Sequence, residues 1–473
     1  SDLFVFGSYG FIMIYFYRKY HDVKVKPQQQ EIPDVFVTFQ LPLYNELYVV
    51  ERLINSVCEI DYPKDKMEIQ VLDDSTDETV NIVAKLVEEK RKEGFQIEHI
   101  RRNSREGFKA GALKEGMKTA KGEFIAIFDA DFIPQKDFLK KTLPFFNDEK
   151  VGMVQTRWEH INGDYSLLTK AQALALDGHF VIEQNVKNKA GLFINFNGTG
   201  GVWRRECIED AGNWHSDTLT EDLDLSYRAQ LNGWRFVFLK DIVSPAELPS
   251  EINALKAQQF RWTKGAIETA KKILPQVWRS KVPLKVKIIA TYHLTNNLVF
   301  PFILLSAILN VPLIYIKNSG SHTAYFAILS MFVLATIGSF LFYLYSQKDI
   351  RTDWRKKIVL FPLFMAGSMG MAVNNSRAVF EGLLNRKSEF VRTPKFKLVN
   401  SNDKWEDKKY VERKIGFSVY VELILAIYCL LGIVSSLYFL EFAAIPFQLM
   451  FFLGFSFVSI PSLKQAFSRS KVG

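Results

Sequence analysis

Several short polar groups interrupt otherwise apolar stretches of this chain, and their residue types suit work on a charged ligand. Tyr44-Asn45-Glu46, Asp73-Asp74 and Asp129-Ala130-Asp131 each follow an apolar run, which for the last is Ile125-Ala126-Ile127-Phe128. Carboxylates set against an apolar sheet must be hydrated, paired or bound to a cation. A divalent cation bridging them to a diphosphate would satisfy all of them. In an extended segment Asp129 and Asp131 project from one edge, so one can hold the cation while the other takes a ribose or the cation's waters. Taken alone, Asp-x-Asp also fits a solvated surface loop; the company of the other clusters favours a site.

Two further groups lie downstream. Thr220-Glu221-Asp222 precedes apolar Leu223 and Leu225, a pattern that opens a helix with the threonine as its cap. Gln258-Gln259-Phe260-Arg261-Trp262 sits on an amphipathic stretch ahead of a long apolar run. Gln258 and Arg261 share a helix face and can reach one phosphate together, and the adjacent indole offers the flat apolar plate on which a sugar ring stacks. Each group also has a plainer reading, as a helix cap and as an interfacial Arg-Trp anchor.

The elements that would position these residues follow from the apolar pattern. Strands are expected near 35–41, 68–73, 95–101, 124–129 and 151–156, and helices near 46–57, 77–93, 109–120 and 136–147. Such alternation predicts an α/β domain with a largely parallel sheet covered on both faces, whose ligands bind at the carboxyl ends of the strands. The polar clusters fall at those ends. Apolar runs at 3–17, 286–316, 323–346, 357–382, 416–440 and 442–462 predict a membrane part as well. Basic residues flank 357–382 on both sides, from Lys348 to Lys357 and from Arg386 to Lys397, so that run is expected to lie in the interface or re-enter. Five crossings then remain, with residues 18–280 and the loop 383–415 on the cytoplasmic side and the loops near Lys317 and Glu441 outside. The net charge of +9 fits nucleic acid, anionic lipid or an anionic substrate. Its distribution decides, because the basic residues cluster beside apolar segments and no long basic-aromatic stretch suited to nucleic acid occurs. Cys58, Cys207 and Cys429 form neither a zinc pattern nor a disulfide framework.

With these residues in view, the chain resembles the processive family-2 glycosyltransferases, the cellulose-synthase-like glucomannan mannosyltransferases and their bacterial relatives above all. The matching pieces are QLPLYNE at 40–46, VLDDSTD at 71–77, GFKAGALKEGM at 107–117, AIFDADFIP at 126–134, VQTRW at 154–158, FNGTGGVWR at 196–204, TLTEDLDLS at 218–226 and QQFRW at 258–262. The resemblance implies a GT-A-like (Rossmann-like) cytoplasmic domain joined to an α-helical transmembrane bundle with interfacial helices. It implies that Tyr44, Glu46 and Asp74 hold the nucleotide, that Lys109, Gln258 and Arg261 bind the donor's phosphates, and that Asp129 and Asp131 bind the diphosphate through Mg²⁺ or Mn²⁺. Asp222 would be the general base, and Glu221 and Trp262 would hold the acceptor. Phe390-Val391-Arg392-Thr393-Pro394-Lys395 looks like the family's gating loop, with Phe390, Thr393 and Lys395 in its positions and Arg392 where a valine is expected.

The implied organisation is a first transmembrane helix in 1–20, the catalytic domain in 30–280, an interfacial helix and two transmembrane helices in 281–346, an interfacial or re-entrant helix and gating-like loop in 347–415, and two transmembrane helices with a tail in 416–473. The implied reaction is inverting transfer from UDP-glucose or GDP-mannose to build a β-linked polysaccharide and secrete it. The alternative is transfer of one sugar to a membrane lipid. Expected partners are therefore a nucleotide-sugar donor, a glycan or lipid acceptor and membrane lipids, in the bacterial inner membrane; accessory subunits are not legible.

Overall fold

The computed structural model of the 473-residue chain describes residues 2–319, 332–388, 391–399, 403–405, 408–411 and 416–467. Its centre is a seven-stranded sheet of β1 (Val37–Leu43), β2 (Met67–Asp73), β3 (Gln96–Ile100), β4 (Phe124–Ile127), β5 (Val151–His160), β6 (Gly201–Arg204) and β7 (Arg235–Ala246), in the order β3-β2-β1-β4-β6-β5-β7. β1 pairs in parallel with β2 and β4, β2 with β3, and β5 with β7, while β6 runs against both of its neighbours. The sheet is thus largely parallel with one reversed strand. Neither β6 nor β7 was expected from the sequence pattern, and β5 runs on past 156 to His160.

Apolar residues fill both faces of the sheet. On one face Phe39, Leu41, Phe124 and Phe128 pack under helices Val50–Cys58 and Thr79–Lys92, with Leu53, Ile54, Val83 and Val87 turned inward. On the other, Ile125, Ile127, Trp203 and Phe238 meet Leu113, Ile208 and Leu225 of helices Phe108–Met117, Arg205–Asp210 and Glu221–Leu231. Each such fully buried Leu, Ile or Phe contributes about 1.5–3 kcal/mol. The helix expected over 136–147 is instead a short α-helix, Phe138–Thr142, that tightens into a 3₁₀ turn over Leu143–Asn147. Pro144 accounts for this, since it cannot donate the next α-helical hydrogen bond.

Among the described residues three helices are long and apolar enough to cross a membrane: Leu284–Asn318, Phe417–Tyr438 and Phe442–Phe467. Phe417, Ile424, Leu431 and Tyr438 recur every seventh residue and are 81, 65, 58 and 80% exposed, an apolar stripe that in water would be unfavourable and in lipid is at home. Helix Asp2–Tyr20 packs beside Phe332–Ile350, where Gly10 approaches the backbone of Gly338. Residues 323–331 of the expected run 323–346 lie outside the described residues. The segment 357–382, expected to lie in the interface or re-enter, falls on helices Trp354–Gly370 and Ala372–Leu383, which bend by 46° at the break between them, a geometry that a re-entrant loop and a broken span share. Lys317 and Glu441 form an ion pair, so the two loops expected outside lie at the same end of the bundle.

Candidate active site

Chain direction makes the site. β1, β2, β4, β5 and β7 all point the same way, so their carboxyl ends deliver Tyr44, Asp74, Asp129, His160 and Glu247 to one edge of the sheet. There they line one cleft. Helix Ile252–Arg279 closes its far wall with Gln258, Arg261 and Trp262, and the turn before helix Glu221–Leu231 adds Glu221 and Asp222. Glu46, Lys109 and Asp131 complete the set, with Thr393 and Lys395 coming from the segment after the bent helices. Every site residue expected from the sequence lines this cleft except Phe390, which lies outside the described residues.

The acidic residues are held by specific cations. Arg102 grips Asp74 with two nitrogens, at 3.0 and 2.5 Å. The guanidinium of Arg105 lies 3.3 Å from the centre of the Tyr44 ring, inside the range of a cation–π contact. Lys109 reaches Asp129 at 2.5 Å and the carbonyl of Gly198 at 2.9 Å. Burial alone would depress its ammonium, yet Asp129, Glu221 and Asp222 hold it above the usual lysine range. Lys395 donates to Asp131 at 2.6 Å and to the Glu247 carbonyl at 2.7 Å. Arg392, the residue that departs from the expected loop pattern, lies 3.2 Å from Glu46. Burial nevertheless pushes the Glu46 carboxyl up to about 8.

The general-base candidate has a different environment. Asp222 opens on the cleft but is surrounded by protein, and burial together with Glu221 pushes its carboxyl up to about 7. Its Oδ1 accepts the backbone N–H of Leu223 at 2.8 Å. Its Oδ2 would lie only 3.0 Å from a Cβ placed on Gly198, where φ is +83°, so a glycine is needed there both for the left-handed backbone and for the approach of Asp222. The expected threonine cap is not formed: the Thr220 side chain makes no cap hydrogen bond and pairs instead with Thr269 at 3.2 Å. A helix neighbour thus takes the hydroxyl, which ties the Thr220-Glu221-Asp222 turn to the Gln258–Trp262 helix. Gly265 permits this contact, since its Cβ would lie 2.6 and 2.8 Å from Thr220 side-chain atoms.

Asp129 and Asp131 are hard oxygen donors at one strand end, each with one oxygen on a lysine, which leaves oxygen for Mg²⁺ or Mn²⁺ and suits those ions over thiophilic ones. A second cluster, His215, Asp217 and Asp224, also brings its ligand atoms together, but the Lys272 ammonium sits among all three, at 3.0, 2.8 and 2.9 Å. A lysine already supplies the positive charge there.

Several lining residues carried no assigned role in the sequence reading. Arg105 follows β3, as does Arg102, which holds Asp74 from behind the lining, and the strand-end rule that exposed the acids would have found both. Trp158 and His160 alternate on β5, and their expected strand stopped short of both. His160 donates or accepts at Nε2 with Asp177 at 3.2 Å, and its Nδ1 is buried without a protein partner. The Thr393 hydroxyl is likewise buried and unpartnered.

A largely parallel α/β sheet thus carries an acidic, basic-rimmed cleft at its carboxyl edge, where such folds bind their ligands. The family described as Glycosyltransferase like family 2 matches residues 33–265. Glucomannan 4-beta-mannosyltransferase 1 of Oryza sativa subsp. japonica is 36% identical over 348 residues, 70% of this chain and 67% of that protein. Glucomannan 4-beta-mannosyltransferase 7 of Arabidopsis thaliana is 42% identical over 250 residues, 52% of this chain and 45% of that protein. The chain spans about half the length of several curated relatives that it matches. Among solved structures, the mannosyltransferase PcManGT from Pyrobaculum calidifontis, in complex with GDP-Man and Mn²⁺, has the same fold, with a TM-score of 0.57 at 20% identity over 81% of this chain and 99% of that one. The chain belongs to glycosyltransferase family 2 and is a glycosyltransferase.

Proposed function

We propose that this enzyme transfers mannose from GDP-mannose to the end of a growing β-linked glycan, with the donor site on the cytoplasmic side of the membrane that holds its helices. The observation that carries this reading is the convergence in one cleft of Asp222, the Asp129/Asp131 pair, Lys109 and the Gln258–Arg261–Trp262 face. The mannosyl choice rests on the relatives named above and narrows the earlier pair of donors.

In this reading Tyr44, backed by Arg105, and Asp74, fixed by Arg102, seat the base and ribose. A divalent ion held by Asp129 and Asp131 would supply charge for the leaving diphosphate. Lys109, Gln258 and Arg261 bind the same phosphates, and Thr393 and Lys395 close over them. Asp222 takes the proton from the acceptor hydroxyl as that oxygen bonds to the anomeric carbon. The bond from that carbon to the diphosphate breaks on the opposite side, so an α-linked donor gives a β-linkage. Trp262 stacks on the acceptor's terminal sugar, and the unpartnered His160 Nδ1 accepts from one of its hydroxyls.

The test is to incubate the purified protein in lipid with GDP-mannose, UDP-glucose or UDP-N-acetylglucosamine and either metal, then measure nucleotide diphosphate release and product. GDP release with a water-insoluble polymer is expected. Release from a UDP-sugar alone overturns the donor choice. A product extracted wholly by organic solvent establishes lipid glycosylation in place of polymer growth.

A further inference from the structure

A second concavity lies on the far side of the catalytic domain, at the foot of helix Asp2–Tyr20. It has a cavity volume of about 610 Å³ and is walled by Lys24, Lys26, Lys140, Lys141, Lys189 and Lys240. Only Asp22 and Asp241 oppose them on its lining, so six ammonium groups face two carboxylates. Pro144, Phe145, Phe238 and Leu239 form an apolar floor. This is a bowl with a dry base, whereas an ordinary solvated basic face is convex and has none.

The lysines differ in how far they are neutralised. Lys141 pairs with Asp137 at 2.5 Å, Lys240 with Asp349 at 2.6 Å, and Lys140 with Asp61. Lys189 donates a hydrogen bond to the backbone carbonyl of His21 at 2.8 Å, which supplies no countercharge. Burial and the nearby Lys240 ammonium depress it below the usual lysine range. Lys24 and Lys26 have no acidic partner among the described residues. Positive charge is therefore left over on the side where the chain leaves its first helix.

Position supplies the remaining constraint. Asp349 accepts from both Tyr17 and Lys240, at 3.2 and 2.6 Å, so the ends of helices Asp2–Tyr20 and Phe332–Ile350 meet beside the basin. If these two helices cross the membrane, as the apolar runs 3–17 and 323–346 predict, their shared end marks the depth at which lipid headgroups lie.

We propose that this basin binds a phosphate-bearing anion, supplied at this depth by the headgroup of an acidic phospholipid. The phosphate would sit between Lys24, Lys26 and Lys189, with the Phe145–Phe238 floor under the glycerol end. A soluble diphosphate carries the same chemistry and is the other source to be told apart. The inference does not depend on the identity of the donor sugar, and it gives the enzyme a lipid-dependent contact distant from its cleft.

The experiment uses the full chain in detergent, with bound lipid counted by native mass spectrometry after equilibration with equal phosphatidylglycerol and phosphatidylcholine. Preferential retention of phosphatidylglycerol is expected, weakened by about fivefold per lysine removed in Lys24→Gln/Lys26→Gln and more in the triple variant with Lys189→Gln. The double variant alters only exposed side chains, so it remains informative if the triple variant folds poorly. A parallel titration with inorganic pyrophosphate in neutral lipid, read by calorimetry, separates the sources: a site lost in the double variant without any lipid preference assigns the basin to a soluble anion. Wild type and both variants alike in lipid retention and in pyrophosphate binding would overturn the proposal.

Discussion

Asp222 is the residue on which the proposed chemistry turns, and its surroundings make a signed prediction. Burial and Glu221 bring its carboxyl up to about 7, and a base works only when deprotonated. kcat/KM should therefore rise as pH increases through about 7 and level off above it, in a pH profile taken at donor concentrations well below KM. A profile flat from pH 5 to 9 would remove Asp222 from the role. Asp222→Asn keeps the shape and cannot take the proton, so it should lower turnover by about 10²–10⁴ while GDP-mannose affinity is retained; a variant with more than half the wild-type rate contradicts the assignment. Asp131→Ala should act differently and lose donor binding as well as rate, because the diphosphate would face Asp129 without a full cation site. Activity undiminished in excess chelator would refute that scheme. Asp222 was legible because Thr220-Glu221-Asp222 opens a helix, and Asp129 and Asp131 because they follow an apolar strand. Arg102 and Arg105 obey the same rule but read as ordinary surface charge, and the orphaned Nδ1 of His160 has no signature at all in one dimension.

At the scale of elements, helix Ile252–Arg279 carries Gln258 and Arg261, proposed to bind the phosphates, and through Thr269 also holds the turn of the proposed base. Gly265→Ala would press a methyl onto Thr220, at a cost of about 1–3 kcal/mol, and shift the turn that ends in Asp222. A lower kcat with donor affinity unchanged is expected; equal losses in both would mean that the whole helix moves. The same helix is bonded to the membrane part through Lys256, which lies 2.8 Å from Glu422 with side chains 8 and 0% exposed. Removing one partner of a buried pair costs about 3–5 kcal/mol, so Glu422→Ala should lower the melting temperature in detergent clearly, and a melt superimposable on wild type would show the pair to be dispensable. The strands β1 to β5 were readable from alternation of apolar strand and amphipathic helix. β6 escaped because it is four residues long and begins at a glycine, and β7 because Arg235, Lys240 and Asp241 break its apolar run. Both are held by their neighbours more than by their own composition, which also explains why the reversed strand went unforeseen.

For the whole molecule, composition announced a soluble part and a membrane part, and the bundle's long apolar helices were plain in the sequence. How the two parts join was not, since Lys256 and Glu422 are 166 residues apart. If the enzyme both extends and exports its glycan, proteoliposomes supplied with GDP-mannose on the catalytic-domain side should accumulate polymer that an added endo-mannanase cannot reach until detergent is added. Trp262→Ala should shorten that polymer, with Phe or Tyr restoring part of its length; equal lengths in the Ala and Phe variants would rule out a stacking platform. The shared helix also bears on modularity. Lys264 is 1% exposed at its side chain and donates to Ser388 Oγ at 2.6 Å and to the Arg386 carbonyl, while Lys256 is matched by Glu422. A catalytic fragment cut at residue 280 would thus carry away two ammonium groups stripped of these partners. The two halves are joined through buried cations, and a chimaera that exchanges one half without its counterpart should melt below the parent in detergent.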